Sequence, residues 1–161
     1  MNLLRPFLTV VLSLGALAPC GADPAPVVHY VGGEKLSDVA LIDRAGHEID
    51  MAAYELRDWT IIQALMRASD RGVKVRIYLD GAQPAGREST KAFDDLANKS
   101  GVEMRIKHDR STLMHLNSYL IDGRLLRTDD LTVIESAEAA AAFKQAFDDQ
   151  FAAGEVLGAP P

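Results

Sequence analysis

The chain has 161 residues, enough for one domain, and its 48% hydrophobic and 25% charged residues are typical of a globular protein. The formal net charge of −6 argues against strong, nonspecific nucleic-acid binding by the whole surface. The only cysteine is Cys20, which excludes an internal disulfide bond.

The first 22 residues have the layout of a secretory signal peptide. Arg5 precedes an apolar run at 7–18, and small residues follow up to Ala22. We therefore expect cleavage after Ala22 and export, either to a periplasm or out of the cell. Lipid attachment at Cys20, or a retained anchor, is the alternative. Because the run is too short for a comfortable membrane span, no stable membrane insertion is expected after cleavage.

After a linker at 23–26, strand and helix patterns alternate through a domain expected to span 27–155. The strand patterns lie at 27–31, 47–55, 73–79, 102–107, 114–121, 125–127 and 131–135. The helix patterns lie at 36–45, 58–72, 87–98 and 137–151. This alternation predicts an α/β domain with a mixed β-sheet sandwiched by helices. Residues 156–161 are expected to form a disordered tail.

Local signals mark several element ends. Asp58 and Ser136 are predicted helix N-caps, and Gly72 is predicted to stop the helix that Asp58 starts. The Asp-Gly pair at 122–123 has the chemistry of a hairpin turn. The expected inner stripe of helix 58–72 comprises Trp59, Ile62, Leu65 and Met66.

The most informative segment is 114–123, M-H-L-N-S-Y-L-I-D-G. It gives His115, Asn117 and Asp122 the spacing H-x-N-x4-D. On a strand, His115, Asn117 and Tyr119 share one face, so we predict that Asn117 and Tyr119 contact the substrate. Asp122 comes where the strand ends and the turn begins. The opposite, mostly apolar face is formed by Met114, Leu116, Ser118 and Leu120.

With Lys in place of Asn117, this segment would be the H-x-K-x4-D motif of the phospholipase D superfamily. The chain resembles the small, single-motif bacterial members, which include proteins called phospholipase D and periplasmic endonucleases. The resemblance covers nearly everything after residue 27. It is carried by 38–45, 47–54, the A-x-x-R-G-V-K-V-R-I-Y-L-D pattern at 68–80, the motif at 114–123, and 130–136.

This resemblance implies an α/β sandwich that forms a homodimer and needs neither metal nor cofactor. His115 matches the nucleophile that attacks phosphorus, and a second His115 would protonate the leaving oxygen. Asn117 stands at the position of the phosphate-binding Lys, and Asp122 matches the motif aspartate. The implied substrate is a phosphodiester, in a phospholipid or a nucleic acid; the acidic net charge leans toward a small or lipid substrate.

The chain departs from the family pattern at two places. Asn117 offers neutral hydrogen bonds where the family has a cation. The G-S/A-x-N segment that follows the motif in the family is missing. The family also has an acid before the next strand that orients the histidine, and Asp129 and Asp130 are the candidates for that role. His108, within the basic cluster 104–110, is a second-tier candidate, although a solvated loop is the favoured interpretation of that cluster.

Three functions therefore remain open. The first is a phosphodiesterase, with reduced activity because of Asn117 and the missing segment. The second is a catalytically inactive, dimeric binding or structural domain. The third is a domain that binds phosphate-bearing surfaces without cutting them. We predict that any activity disappears in His115→Ala and rises in Asn117→Lys.

Overall fold

A single mixed β-sheet contains the eight strands of the part of the chain that the structure describes. This computed structural model describes residues 27–29, 38–80, 90–108, 114, 117–127 and 132–157. The strands are β1 (Val27–His29), β2 (Glu48–Ala53), β3 (Lys74–Leu79), β4 (Val102–Ile106), β5 (Asn117–Ile121), β6 (Arg124–Arg127), β7 (Thr132–Ile134) and β8 (Glu155–Leu157). The helices are α1 (Asp38–Arg44), α2 (Trp59–Asp70), α3 (Thr90–Ala97) and α4 (Ala137–Ala153).

The strands lie in the order β1-β7-β6-β5-β2-β3-β4-β8. The β2–β3 and β3–β4 pairs are parallel, and the other described pairs are antiparallel. Because successive side chains point to opposite faces of a sheet, β2 serves two cores. Met51 packs in the cluster that includes residues of α1, α2 and α3, and Ala52 packs in the cluster that includes residues of α4. The predicted α/β sandwich with a mixed sheet is confirmed.

Helix α2 begins and ends where its sequence signals predict. Asp58 is the N-cap, and its Oδ1 accepts a hydrogen bond from Thr60 N at 2.8 Å. Gly72 follows the C-cap residue Arg71 with a φ of +86°, a left-handed conformation that glycine adopts without steric cost. These two local signals mark the two ends of the helix.

The predicted inner stripe of α2 is correct in its centre and wrong at its start. Ile62 and Leu65 are fully buried, and Met66 packs against the same core. Trp59 is instead 55% exposed. Residues 57–60 are all exposed, so the first two residues of α2 lie outside the core, and helical spacing alone does not reveal this.

The β5–β6 hairpin closes through the predicted Asp-Gly turn. Asp122 and Gly123 have φ values of +47° and +80°, and the flanking residues Ile121 and Arg124 are paired. Two consecutive positive φ values are typical of the type I′ turn, whose twist matches that of the strands.

Two predicted boundaries differ in the structure. β5 begins at Asn117, whereas the predicted strand began at Met114, which is described outside any strand. Val156 and Leu157, expected in a disordered tail, belong to β8. They pair with β4, which would otherwise present an unpaired edge, and the local sequence does not indicate such a partner. The predicted signal peptide and linker lie outside the described residues.

Helix α4 is attached to the sheet by a cluster of charged groups beneath it. Ser136 caps the helix as predicted, since its Oγ accepts from Ala139 N at 3.1 Å. The guanidinium of Arg76 donates to both oxygens of Asp50, at 2.7 and 2.6 Å, and lies 2.7 Å from Asp148. Lys144 lies within 3.2 Å of the same two carboxylates. The charge cluster of Asp50, Arg76, Lys144 and Asp148 therefore joins two strands to one helix.

Candidate active site

Three strands deliver polar groups to one edge of the sheet. Ala53, the last residue of β2, is paired with both Leu79 of β3 and Asn117, the first residue of β5. Tyr54 and Asp80, which directly follow β2 and β3, therefore lie at the same edge as Asn117. Ligand sites of α/β sheets commonly form at the carboxyl ends of parallel strands, so this edge is the candidate active site.

Asn117 is fixed at this edge by a contact with the neighbouring strand. Its Oδ1 accepts a hydrogen bond from Tyr54 N at 3.3 Å, and its side chain is half-buried. The residue that replaces the family's Lys is thus held by the protein backbone. It contributes no positive charge to the edge, so it is a weaker partner for a phosphate than an ammonium group.

His115 and Leu116 lie outside the described residues, but the residues on either side of them do not. Met114 is 8% exposed, and its backbone N donates to the carboxylate of Asp80 at 2.5 Å. Met114 and Asn117 therefore bring both flanks of His115 to the same edge. The predicted role of His115 stays a prediction.

The shared strand face predicts that Tyr119 contacts the substrate, but the structure buries its side chain. It is 4% exposed and packs in the large core cluster under α1 and α2. Burial raises the pKa of its hydroxyl well above the usual range, and the charges of Asp38 and Asp58 raise it further. Tyr119 shares a face of β5 with Asn117, as the alternation predicts. At Tyr119, however, this face is covered by α1 and α2, and this burial argues against substrate contact.

Asp122 lies at the opposite end of β5, roughly 16 Å from Asn117 by strand rise. Its carboxylate accepts three backbone hydrogen bonds, from Gly46, His47 and Glu48, at 2.7, 2.9 and 3.0 Å. We call this arrangement the Asp122 clamp, because it ties the hairpin to the start of β2. The contacts support a structural role for the motif aspartate rather than direct catalysis.

The Asp122 clamp has a defined pH dependence. Burial alone would raise the pKa of Asp122, but the three backbone hydrogen bonds outweigh it and hold the pKa below its usual value. A carboxylate with a lowered folded-state pKa stabilises the fold above its unfolded pKa of about 3.9. This stabilisation is lost as the pH falls through the lower, folded-state pKa.

His108, the second-tier residue that the structure describes, does not lie beside Asn117. His108 follows β4, three strands from β5, and its Nδ1 lies 2.6 Å from Oε1 of Glu155 at an exposed position. Arg105 of the basic cluster binds Glu103 and the carbonyl oxygens at the end of α4. Arg105 and His108 thus make contacts that link β4 with β8 and the end of α4. Asp129 and Asp130 lie outside the described residues.

Asp80 and Tyr54 are site-edge residues that motif reasoning missed. Asp80 ends the A-x-x-R-G-V-K-V-R-I-Y-L-D pattern, and the rule that sites form at carboxyl ends of parallel strands would have found it. Within the described ranges, no group of three or more His, Cys, Asp or Glu side chains is arranged to hold a metal ion.

Comparisons with known proteins identify the family and the fold. Residues 39–135 match the family model described as "Cardiolipin synthase, PLD-like domain". A protein named phospholipase D from Rickettsia conorii (strain ATCC VR-613 / Malish 7) is 38% identical over 69 residues, which are 43% of this chain. The aligned part is 31% of that relative's length.

Two solved structures share the fold. The phospholipase D family member Nuc from Salmonella typhimurium has a TM-score of 0.65 and 25% identity, covering 75% of this chain and 88% of Nuc. NucT from Helicobacter pylori has a TM-score of 0.66 and 14% identity, covering 83% of this chain and 100% of NucT. The match with Nuc supports both family and fold, and the match with NucT supports the fold.

Proposed function

This chain belongs to the phospholipase D-like family, and we propose from that premise that it hydrolyses phosphodiesters with His115 as the nucleophile. The observation that carries the proposal is the location of the motif segment. Met114 and Asn117, which flank His115 and Leu116, lie at the edge where the parallel strands β2 and β3 end. The whole motif falls within the residues that match the family.

The proposed reaction has two steps. The neutral imidazole of His115 attacks phosphorus, the bond to the leaving oxygen breaks, and a second histidine donates a proton to that oxygen. The second histidine, now a base, takes a proton from water, and the water oxygen displaces His115 from phosphorus. Since the chain has one such motif, we propose that His115 of a second copy supplies the proton in a homodimer.

Asn117 supports a second candidate, a dimeric domain that binds phosphate groups without cleaving them. The position that carries Lys in the family motif has a neutral amide here, and its Oδ1 already accepts from Tyr54 N. A phosphate can still accept hydrogen bonds from an amide. Without a cation, however, the charge that builds on the phosphoryl oxygens in the transition state receives less stabilisation.

The test is turnover of bis(4-nitrophenyl) phosphate by the wild type and by His115→Ala. We expect slow release of nitrophenol by the wild type and none by the variant, because the nucleophile has been removed. Phospholipid vesicles and single-stranded DNA, assayed in parallel, identify the substrate class. Equal rates in wild type and His115→Ala would contradict the proposal. Thermal stabilisation by inorganic phosphate without turnover would favour the binding domain.

We also propose that the domain acts after export. Residues 1–22 have the signal-peptide layout, and no helix among the described residues is long and apolar enough to cross a membrane. N-terminal sequencing of the protein recovered outside the cytoplasm should begin at Asp23; an intact Met1 there would contradict cleavage after Ala22.

A further inference from the structure

Asp80 is a buried carboxylate that no part of the motif includes. It directly follows β3 and is 3% exposed, and its backbone N donates to the carbonyl oxygen of Ala53 at 3.2 Å. A charged group at such a position is costly unless hydrogen bonds compensate for its lost hydration. The structure shows one of them, because the Asp80 carboxylate accepts from Met114 N.

Met114 is held from its side chain as well. It packs in the cluster formed by Ala52, Tyr78, Phe147 and Phe151, between the sheet and α4. The backbone immediately before His115 is therefore fixed in two independent ways. Two residues after His115, Asn117 is held by Tyr54 N and by the pairing of β5 with β2.

We infer that Asp80 is a positioning residue for His115. It acts through the Met114 N–H, and nothing in the inference requires it to touch the substrate. The inference rests on the proposed function, since a position for His115 matters to catalysis only if His115 reacts. This role is distinct from that of the acid, Asp129 or Asp130, that the family resemblance implies for orienting the histidine.

The charge of Asp80 gives the contact its strength. A hydrogen bond to an ionised acceptor is roughly twice as strong as one between neutral groups. An amide at position 80 would keep a neutral acceptor for Met114 N, whereas a methyl group would keep none. The two substitutions should therefore produce graded effects on the placement of His115, and misplacement by about 1 Å can cost on the order of 10²-fold in rate.

The experiment compares Asp80→Asn and Asp80→Ala with the wild type, measuring kcat and KM on bis(4-nitrophenyl) phosphate and hydrogen exchange at the Met114 amide. For Asp80→Ala we expect kcat to fall by about 10–100-fold, with KM changed less than about threefold, because the nucleophile is misplaced. The kcat of Asp80→Asn should lie between the values of the wild type and Asp80→Ala. Protection of the Met114 amide should decrease in the same order.

Ser69→Ala is the matched control for lost stability. Ser69 is a buried polar residue whose Oγ donates to the carbonyl oxygen of Ser100 at 2.5 Å, near the opposite ends of the strands. This variant should lower the unfolding temperature while leaving kcat and Met114 protection unchanged. Unchanged Met114 protection in Asp80→Ala, or lost protection with unchanged kcat, would overturn the inference.

If the proposed phosphodiesterase function is wrong, the experiment gives a different result from the one that overturns the role of Asp80. In that case the wild type shows no turnover that depends on His115, so a catalytic role for Asp80 is overturned with it. Met114 exchange still reports whether Asp80 holds the segment, because that measurement needs no activity.

Discussion

Asn117→Lys is expected to raise phosphodiester turnover by roughly 10²-fold. Removing one group that stabilises transition-state charge typically costs about 10²–10³ in rate, and this substitution supplies such a group. Position 117 lies at the edge where β2 and β3 end, so an ammonium there would sit beside the segment that carries His115. The measurement is kcat/KM on bis(4-nitrophenyl) phosphate.

The control for charge is Asn117→Met, whose side chain is long and flexible like that of Lys but neutral. Asn117→Met should not raise kcat/KM. Asn117→Lys should not raise it either when His115 is also replaced by Ala. Both position-117 variants lose the hydrogen bond from Tyr54 N, at a cost of about 1 kcal/mol of stability. An equal gain from Met and Lys would show that positive charge is not what the site lacks.

Arg76→Ala is expected to produce the largest loss of stability, about 3–5 kcal/mol. Arg76 is 12% exposed and Asp50 is 1% exposed, so the substitution leaves a buried carboxylate whose remaining cation, among the described residues, is Lys144 at 3.2 Å. The guanidinium also stacks over Phe147 and Phe151, with centroid distances of 5.0 and 5.3 Å. Since the free energy of unfolding of a domain is about 5–15 kcal/mol, this loss would remove a large part of the stability of the fold. Urea denaturation measures it.

Arg124→Ala is the matched control on the surface. Arg124 pairs with Glu135 at 3.1 Å, but the two side chains are 66% and 43% exposed. Solvent screens such pairs, so its loss should cost at most about 1 kcal/mol. A cost for Arg76→Ala no greater than that for Arg124→Ala would contradict a structural role for the charge cluster.

The charge cluster should also contribute to the acid limit of stability. Burial would raise the pKa of Asp148, but hydrogen bonds from Arg76 and Lys144 hold it below its usual value. A lowered carboxylate pKa stabilises the fold above the unfolded pKa, and this contribution is lost as the pH falls through the folded value.

The fold could be predicted from local signals because most of them act within a few residues. Asp58 and Ser136 cap helices, Gly72 ends one, and Asp122 with Gly123 closes a hairpin. Local signals do not predict contacts between elements that are far apart in the sequence. β8 exists because β4 offers an edge, and the exposure of Trp59 depends on how far the core extends.

The sequence predicted the family correctly, but it did not predict the contacts that individual motif residues make. The motif selected Asn117 as a site residue, and the structure places it at the start of β5, three residues later than the predicted start of that strand. The motif could not show that Asp122 binds backbone groups at the far end of β5, or that Tyr119 turns into the core. Those outcomes depend on contacts with α1, α2 and the start of β2, which are all distant in the chain. The three Asp122 contacts, for example, span 74 to 76 positions.

Within the ten-residue motif, the Asp122 clamp lies at the opposite end of β5 from Asn117 and the candidate active site. The hairpin is secured by Gly46, His47 and Glu48, and none of these bonds involves the segment that the family carries after β6. A descendant can therefore lose its phosphate pocket while its architecture persists. For the same reason, a substitution at the edge that carries Asn117 need not disturb the contacts of the Asp122 clamp.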